Sequence, residues 1–220
     1  MIMRNARQYL ALTFLVFAAL AAGCATTKVT RVAKVVEKKA PASPRITAPE
    51  ETRYLLPAQD EPLPAQLERP VIEIHKQKRQ LFLFSGDKLW RAYPVIIGRN
   101  PDDDKIREGD LCTPEGTFYV CKKNPRSKYN LSLGLSYPSI EDAERGLRDR
   151  LIDEKEYDAI VRSITRGIPP PWNTALGGEI FIHGDADFWQ WTYGCVALRN
   201  TDIEELYPVI QVGTEVVIRK

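Results

Sequence analysis

The chain has 220 residues, is 44% hydrophobic and 27% charged, and carries a formal net charge of +2. That balance gives no reason to expect nucleic acid as a partner and favours an anionic surface only slightly. Once a leader and a tether are set aside, the length leaves one folded domain of about 150 residues, enough for a single hydrophobic core.

The leader comes first. Arg4 and Arg7 form a short basic start, and YLALTFLVFAALAAG then runs without a charge to Cys24. This is short for a membrane span and matches a secretory signal. The ending LAAGC resembles the bacterial lipobox, whose cysteine is lipidated and becomes the mature N-terminus, although Ala21 stands where Leu is usual. Lipidation at Cys24 is therefore expected, with ordinary signal cleavage or an uncleaved anchor helix as the alternatives. Ala25 in place of Asp resembles an outer-membrane address, so the expected localisation is exported and periplasmic, anchored to the outer membrane as a lipoprotein. Residues 25–69 hold Pro41, Pro44, Pro49, Pro57, Pro62 and Pro64 with mixed charge and little periodicity. They read as a flexible tether, with a reach of at most about 150 Å for its roughly 45 residues.

Order is expected from Pro70 to Lys220. Val71, Ile72 and Ile74 suggest a first strand, Leu81 to Phe84 a second after a polar break, and SGDK a turn. Trp90 to Ile97 suggest a third strand ending at Gly98. NPDDDKIREGD reads as a polar loop, TPEG as a turn and TFYVCKK as another strand. The period then changes. Ser139 with Asp142 resembles a helix cap ahead of EDAERGLRDRL, and Asp153 caps a second helix. That helix places Tyr157, Ile160, Val161 and Ile164 on one face. Gly167 and Pro169 to Pro171 stop it. GGEIFIHG and VGTEVVIRK return to strand. The fold expected is mostly β and sandwich-like, with a helical insertion around 139–167.

Three cysteines remain beyond Cys24: Cys112, Cys121 and Cys195. Export permits disulfides, so Cys112 and Cys121 either pair or are small buried residues. An odd thiol is then a candidate nucleophile. A free thiol ionises near about pH 8.5 and holds little thiolate at neutral pH, so attack on a carbonyl needs a neighbouring base. His183 ends the apolar run before Gly184, and a loop of eleven residues separates it from Cys195. Gly194 lets the chain turn sharply, so that the amides of Tyr193, Gly194 and Cys195 form an oxyanion hole. The Gly184 carbonyl is placed to accept the second imidazole proton and fix the tautomer. A zinc site built from His183, Asp185, Asp187 and Cys195 lacks a second His or Cys at ligand spacing, so no metal is expected. A structural role for Cys195 and His183 in the core is the plainer alternative. His75 is expected to face solvent. Phe188, Trp189 and Trp191 either stack on a sugar or pack their own loop.

IHG followed by T-x-G-C and an apolar run resembles the signature of the L,D-transpeptidase (YkuD-like) catalytic domain family, His-Gly and then Ser/Thr-His-Gly-Cys. VIEIHKQKRQLFLF, YPVIIG, GDLCTPEGTFYV and KNPRSKYNLSLGLSYPSIEDAERG extend the likeness over residues 70–220. The resemblance implies a cell-wall cysteine acyltransferase without metal or organic cofactor. Cys195 attacks the L,D-peptide bond of a peptidoglycan stem peptide, His183 acts as base and then acid, D-Ala leaves, and a thioester forms. An amine then takes the acyl group. The alternatives are hydrolysis of stem peptides or of a wall-attached protein by the same fold, and a non-catalytic wall-binding lipoprotein. Three departures stand out: Tyr193 replaces the usual histidine before Gly-Cys, Ala197 replaces an arginine that holds a substrate carboxylate, and the His-to-Cys interval is short. Arg199, Arg126 or Lys128 are the candidates for that arginine's task, and Trp191 is a further candidate for substrate binding.

Overall fold

The structure, a computed structural model, describes residues 61–188 and 190–220. The expected signal peptide, the lipidation site at Cys24, most of the tether and Trp189 lie outside the described residues. Among the described residues, eight strands form one sheet in the order β3-β2-β1-β8-β4-β5-β6-β7. They are β1 (Pro70–His75), β2 (Gln80–Ser85), β3 (Lys88–Pro94), β4 (Gly116–Ser127), β5 (Asn130–Leu135), β6 (Phe181–His183), β7 (Val196–Ala197) and β8 (Glu215–Arg219). Three α-helices accompany them among the described residues: α1 (Ile140–Arg148), α2 (Glu154–Thr165) and α3 (Asn200–Val209).

The long strand β4 joins the two halves of the sheet. Gly116 to Tyr119 pair with β8, and Val120 onward pairs with β5. The register shifts between Val120 and Lys122, and again between Asn124 and Ser127. Such irregularities bend a strand and increase its twist, so the sheet curls and the two halves face one core. That core combines Ile72, Ile74, Leu81 and Leu83 from one half with Leu133, Leu135, Ile182 and Val196 from the other. Ile203, Leu206 and Val209 of α3 close it. The mostly β, sandwich-like expectation is met, and so is the helical insertion. Both insertion helices carry reciprocal capping boxes, Ser139 with Asp142 and Asp153 with Glu156.

Several local expectations change. The third strand stops at Pro94, whose missing N–H cannot extend a ladder. Residues 95–100 instead make bridges to distant segments, Ile96 to Ala197, Gly98 to Thr192 and Asn100 to Cys112. The polar run NPDDDKIREGD is built around the Asp110 carboxylate. It accepts from the amides of Ile106, Arg107 and Cys112 and from buried Lys105 Nζ at 3.0 Å. His75 does not face solvent: it is buried, edge-on to Phe82 and 3.6 Å from Glu73. Within the stretch read as tether, Leu63 and Leu67 pack against the core and Glu68 accepts from Ser85. Proline content hid an anchoring pair of leucines there. Cys112 and Cys121 are both free, buried thiols.

Candidate active site

The segment around Gly184 is fixed by its backbone. β6 sits between β5 and β7, with Ser132 opposite His183 on one side and Ala197 beside it on the other. Just past the strand the Gly184 amide donates to the carbonyl of Tyr129 at 3.1 Å. Gly184 lies so close to the β4–β5 hairpin that a Cβ there would meet the Tyr129 carbonyl at 2.9 Å, as well as the Asn200 carboxamide. Asn200 accepts from the Asp185 amide at 2.9 Å and returns a hydrogen bond to its carboxylate at 3.1 Å. Two separate segments thus hold the turn that carries the histidine.

His183 is 5% exposed. Its Nδ1 lies 2.7 Å from the Gly184 carbonyl. A carbonyl only accepts, so Nδ1 carries the proton and Nε2 holds the lone pair of the neutral ring. Burial pushes the imidazole below its ordinary value, against the opposing pull of that carbonyl. Tyr129 stacks on the ring with centroids 4.6 Å apart and planes inclined by 25°.

Cys195 immediately precedes β7, whose Val196 pairs with Ile182. The sulfur therefore arrives beside β6, one residue before the ladder begins. It is half-buried and donates to the Glu179 carbonyl at 3.6 Å. Burial pushes this thiol up to about 11, and the Phe181 N–H aimed at the sulfur opposes that rise. Glu179 adds to the rise, while Lys105 and Lys128 oppose it.

The turn before the cysteine is tightly specified. Gly194 adopts φ +128°, and a Cβ there would lie 2.7 Å from the Cys112 carbonyl. The Thr192 amide donates to Ile97 at 2.9 Å, and its carbonyl accepts from Arg99 at 3.1 Å. YPVIIG and GDLCTPEG therefore act as the platform under the cysteine. Gly98, at the end of the first, donates to buried Thr113 of the second at 2.8 Å.

His183 and Cys195 both line two adjoining cavities. One, of about 200 Å³, is walled by Tyr129, Trp191, Thr192 and Tyr193. The other, of about 340 Å³, is more polar and includes Lys128, Ser132 and Glu179. Of the four substrate-binding candidates, Trp191 and Lys128 reach these walls. Arg199 does not: it stands just before α3, without a side-chain cap, and forms a two-pronged ion pair with Asp202 at 2.8 and 2.9 Å. Arg126 is exposed on β4, outside the residues lining either cavity. Ala197, which stands where the family resemblance would place an arginine, is fully buried. Of the three amides expected to face an oxyanion, that of Gly194 donates instead to Thr192 Oγ1 at 3.1 Å. Its neighbours Tyr193 and Cys195 remain as candidates. Among the described residues no group of three or more His, Cys, Asp or Glu side chains is placed to hold a metal ion.

Residues 69–218 match the family model of the L,D-transpeptidase catalytic domain, YkuD. The chain belongs to that family. Solved structures similar to it include the helical cell shape determining protein Pgp2 from Campylobacter jejuni, at 22% identity and a TM-score of 0.46, covering 69% of this chain and 47% of that one. Bd1075 from Bdellovibrio bacteriovorus is similar at 23% identity and a TM-score of 0.46, covering 72% and 54%. An L,D-transpeptidase from Xylanimonas cellulosilytica matches at 17% identity and a TM-score of 0.42, covering 72% and 64%. The chain thus spans about half the length of the first two. No curated protein matches it.

Tyr129, Thr192, Asn200 and the Phe181 amide were not singled out from sequence. Thr192 and Tyr129 lay within quoted motifs, but nothing in the sequence distinguished their roles from their neighbours'.

Proposed function

We propose that the protein is a cysteine acyltransferase of the cell wall, acting on peptidoglycan stem peptides through a thioester on Cys195. The observation that carries this reading is that His183 and Cys195 open onto the same two cavities, with Nδ1 of the imidazole held by the Gly184 carbonyl. That bond leaves Nε2 as the base. As the thiol attacks the peptide carbonyl, its proton passes to Nε2 and a C–S bond forms. The carbonyl oxygen gains charge opposite the amides of Tyr193 and Cys195. The C–N bond then breaks, the departing D-Ala amine takes the proton from the imidazolium, and an acyl thioester remains. An acceptor amine reverses these steps and frees the sulfur; water in its place gives hydrolysis. The same reading places the enzyme outside the cytoplasm, held by a lipid on Cys24 and a proline-rich tether.

Incubation of the full chain in mild detergent with a tetrapeptide muropeptide tests the chemistry. Release of D-Ala and an intact-mass adduct on Cys195 are expected, with both lost in Cys195→Ala. Unchanged D-Ala release by Cys195→Ala would refute the reading. Product masses with and without an added diamino-acid acceptor distinguish transfer from hydrolysis, and labelled fatty acid incorporated by wild type but not by Cys24→Ala reports the anchor.

A further inference from the structure

We infer that Thr192 is a positioning residue whose hydroxyl aims the Cys195 amide at the oxyanion; this rests on the proposed acyl transfer at Cys195. Thr192 is 8% exposed, and among the described residues its side chain bonds only within the turn: Oγ1 donates to the Cys195 carbonyl at 2.6 Å and accepts from the Gly194 amide at 3.1 Å. One oxygen thus binds two groups on either side of the peptide unit that joins Gly194 to Cys195.

Planarity turns this into an orientation. The Gly194 N–H belongs to the plane joining residues 193 and 194. The Cys195 carbonyl belongs to the plane joining residues 195 and 196. Between them lies the plane that carries the Cys195 N–H. With both flanking planes tied to one hydroxyl, the middle plane keeps little freedom, although Gly194 at φ +128° is in itself a permissive hinge. The Tyr193 N–H is set differently. It shares a plane with the Thr192 carbonyl, which accepts from Arg99. In a trans peptide the N–H points opposite to that carbonyl, away from Arg99. The oxyanion hole is therefore a two-amide device, with Tyr193 aimed by the neighbouring segment and Cys195 aimed by the Thr192 side chain. The Gly194 amide, held inward, is what the arrangement gives up.

A hole of this kind matters only where a carbonyl oxygen gains charge. Displacement at iodoacetamide's saturated carbon develops no such oxyanion, whereas acyl transfer from p-nitrophenyl acetate does. In the ester reaction the sulfur forms a C–S bond, p-nitrophenolate leaves with the C–O electrons, and the thiol proton passes to His183. The test measures both rates on the full chain, with the Cys195→Ala rate subtracted, for wild type, Thr192→Val, Thr192→Ala and Thr192→Ser.

The expected result is a split. Thr192→Val alkylates at Cys195 within about twofold of wild type but acylates at least roughly tenfold more slowly, a fraction of what loss of a whole oxyanion donor costs. Thr192→Ser, which keeps the hydroxyl, recovers acylation to within about threefold. Thr192→Ala, which removes hydroxyl and methyl together, repeats the valine split and guards against a valine-specific distortion. Equal losses in both reactions, unaltered acylation in Val and Ala, or failure of Ser to recover would each overturn the inference. Because the ester is not a stem peptide, inactivity of wild type on muropeptides would sink the proposed function while leaving this result readable.

Discussion

The resting charge state of Cys195 and His183 offers a direct check on the site. Burial raises the thiol to about 11 and lowers the imidazole below its ordinary value. Both shifts favour the uncharged form, so the resting pair is thiol and neutral imidazole rather than thiolate and imidazolium. A thiol ionising near pH 11 supplies about one thiolate in ten thousand at pH 7, against about three in a hundred at an ordinary value of 8.5. Alkylation of Cys195 by iodoacetamide, followed by peptide mass mapping between pH 6 and 10, should therefore rise about tenfold per pH unit with no plateau below pH 10. The modified peptide should be that of Cys195 first, since Cys112 and Cys121 are buried. A rate already flat between pH 6 and 8 would mean a preformed ion pair and would refute the reasoning. The catalytic profile carries the complementary sign. On the proposed acyl transfer, turnover needs neutral His183, so the acid limb of kcat/KM should fall below about pH 6.5, the ordinary imidazole value.

Further expectations follow from individual contacts. Gly184→Ala should destabilise the domain by about 1–3 kcal/mol in denaturant melts, because its methyl meets the Tyr129 carbonyl and Asn200; kcat should fall with it as the His183 support shifts. Asp110→Asn should cost about 3–5 kcal/mol by leaving buried Lys105 without its carboxylate. Burial works to raise the Asp110 carboxyl, but the backbone N–H groups of Arg107, Cys112 and Ile106, together with Lys105, outweigh it and hold it below its usual value. Its stabilisation is thus complete above the unfolded value of about 3.9 and is lost as pH falls through the folded one. Melts from pH 6 to 2 should show a steeper acid loss in wild type than in Asp110→Asn. Arg199→Ala should change stability by at most about 1 kcal/mol, since its ion pair with Asp202 is largely exposed on the Arg side. It should leave KM unaltered, whereas Lys128→Ala, at the cavity wall, should raise KM for a stem peptide.

Local signals carried most of the fold. Ser139 with Asp142 and Asp153 with Glu156 are contiguous patterns that act within one helical turn, and both form their capping boxes. The strands β1, β2, β4 and β8 announce themselves through short apolar runs bounded by turns. Helix α3 had no such signal: Arg199 makes no side-chain cap and Pro208 sits inside the helix. It is held instead by Ile203, Leu206 and Val209 in the core. Strand β5 was hidden within a motif, and β7 is only two residues long. His75 was misread because Lys76 beside it does not mark a solvated stretch: that lysine is itself buried, bonded to Asp103 and Glu115, while Phe82 and Glu73 pack against the imidazole.

The site divides along the same line. A thiol after glycine and a histidine before glycine are residue types that carry chemistry wherever they stand, so a sequence can nominate them. What orients them comes from segments far away in the chain. Tyr129 reaches the imidazole from the β4–β5 hairpin, and residues 96–100 and 110–113 form the platform beneath the cysteine turn. The expectation of three oxyanion amides treated the turn as an isolated peptide, in which every N–H is available. In the folded chain a buried hydroxyl two residues away competes for one of them, because a buried donor left unpaired is costly. Even Ala197 has this logic. It pairs with His183 inside the sheet at zero exposure, and its methyl brings no charge to the site. On the proposed function, the candidate to meet a substrate carboxylate in place of that arginine is Lys128, which stands on a cavity wall.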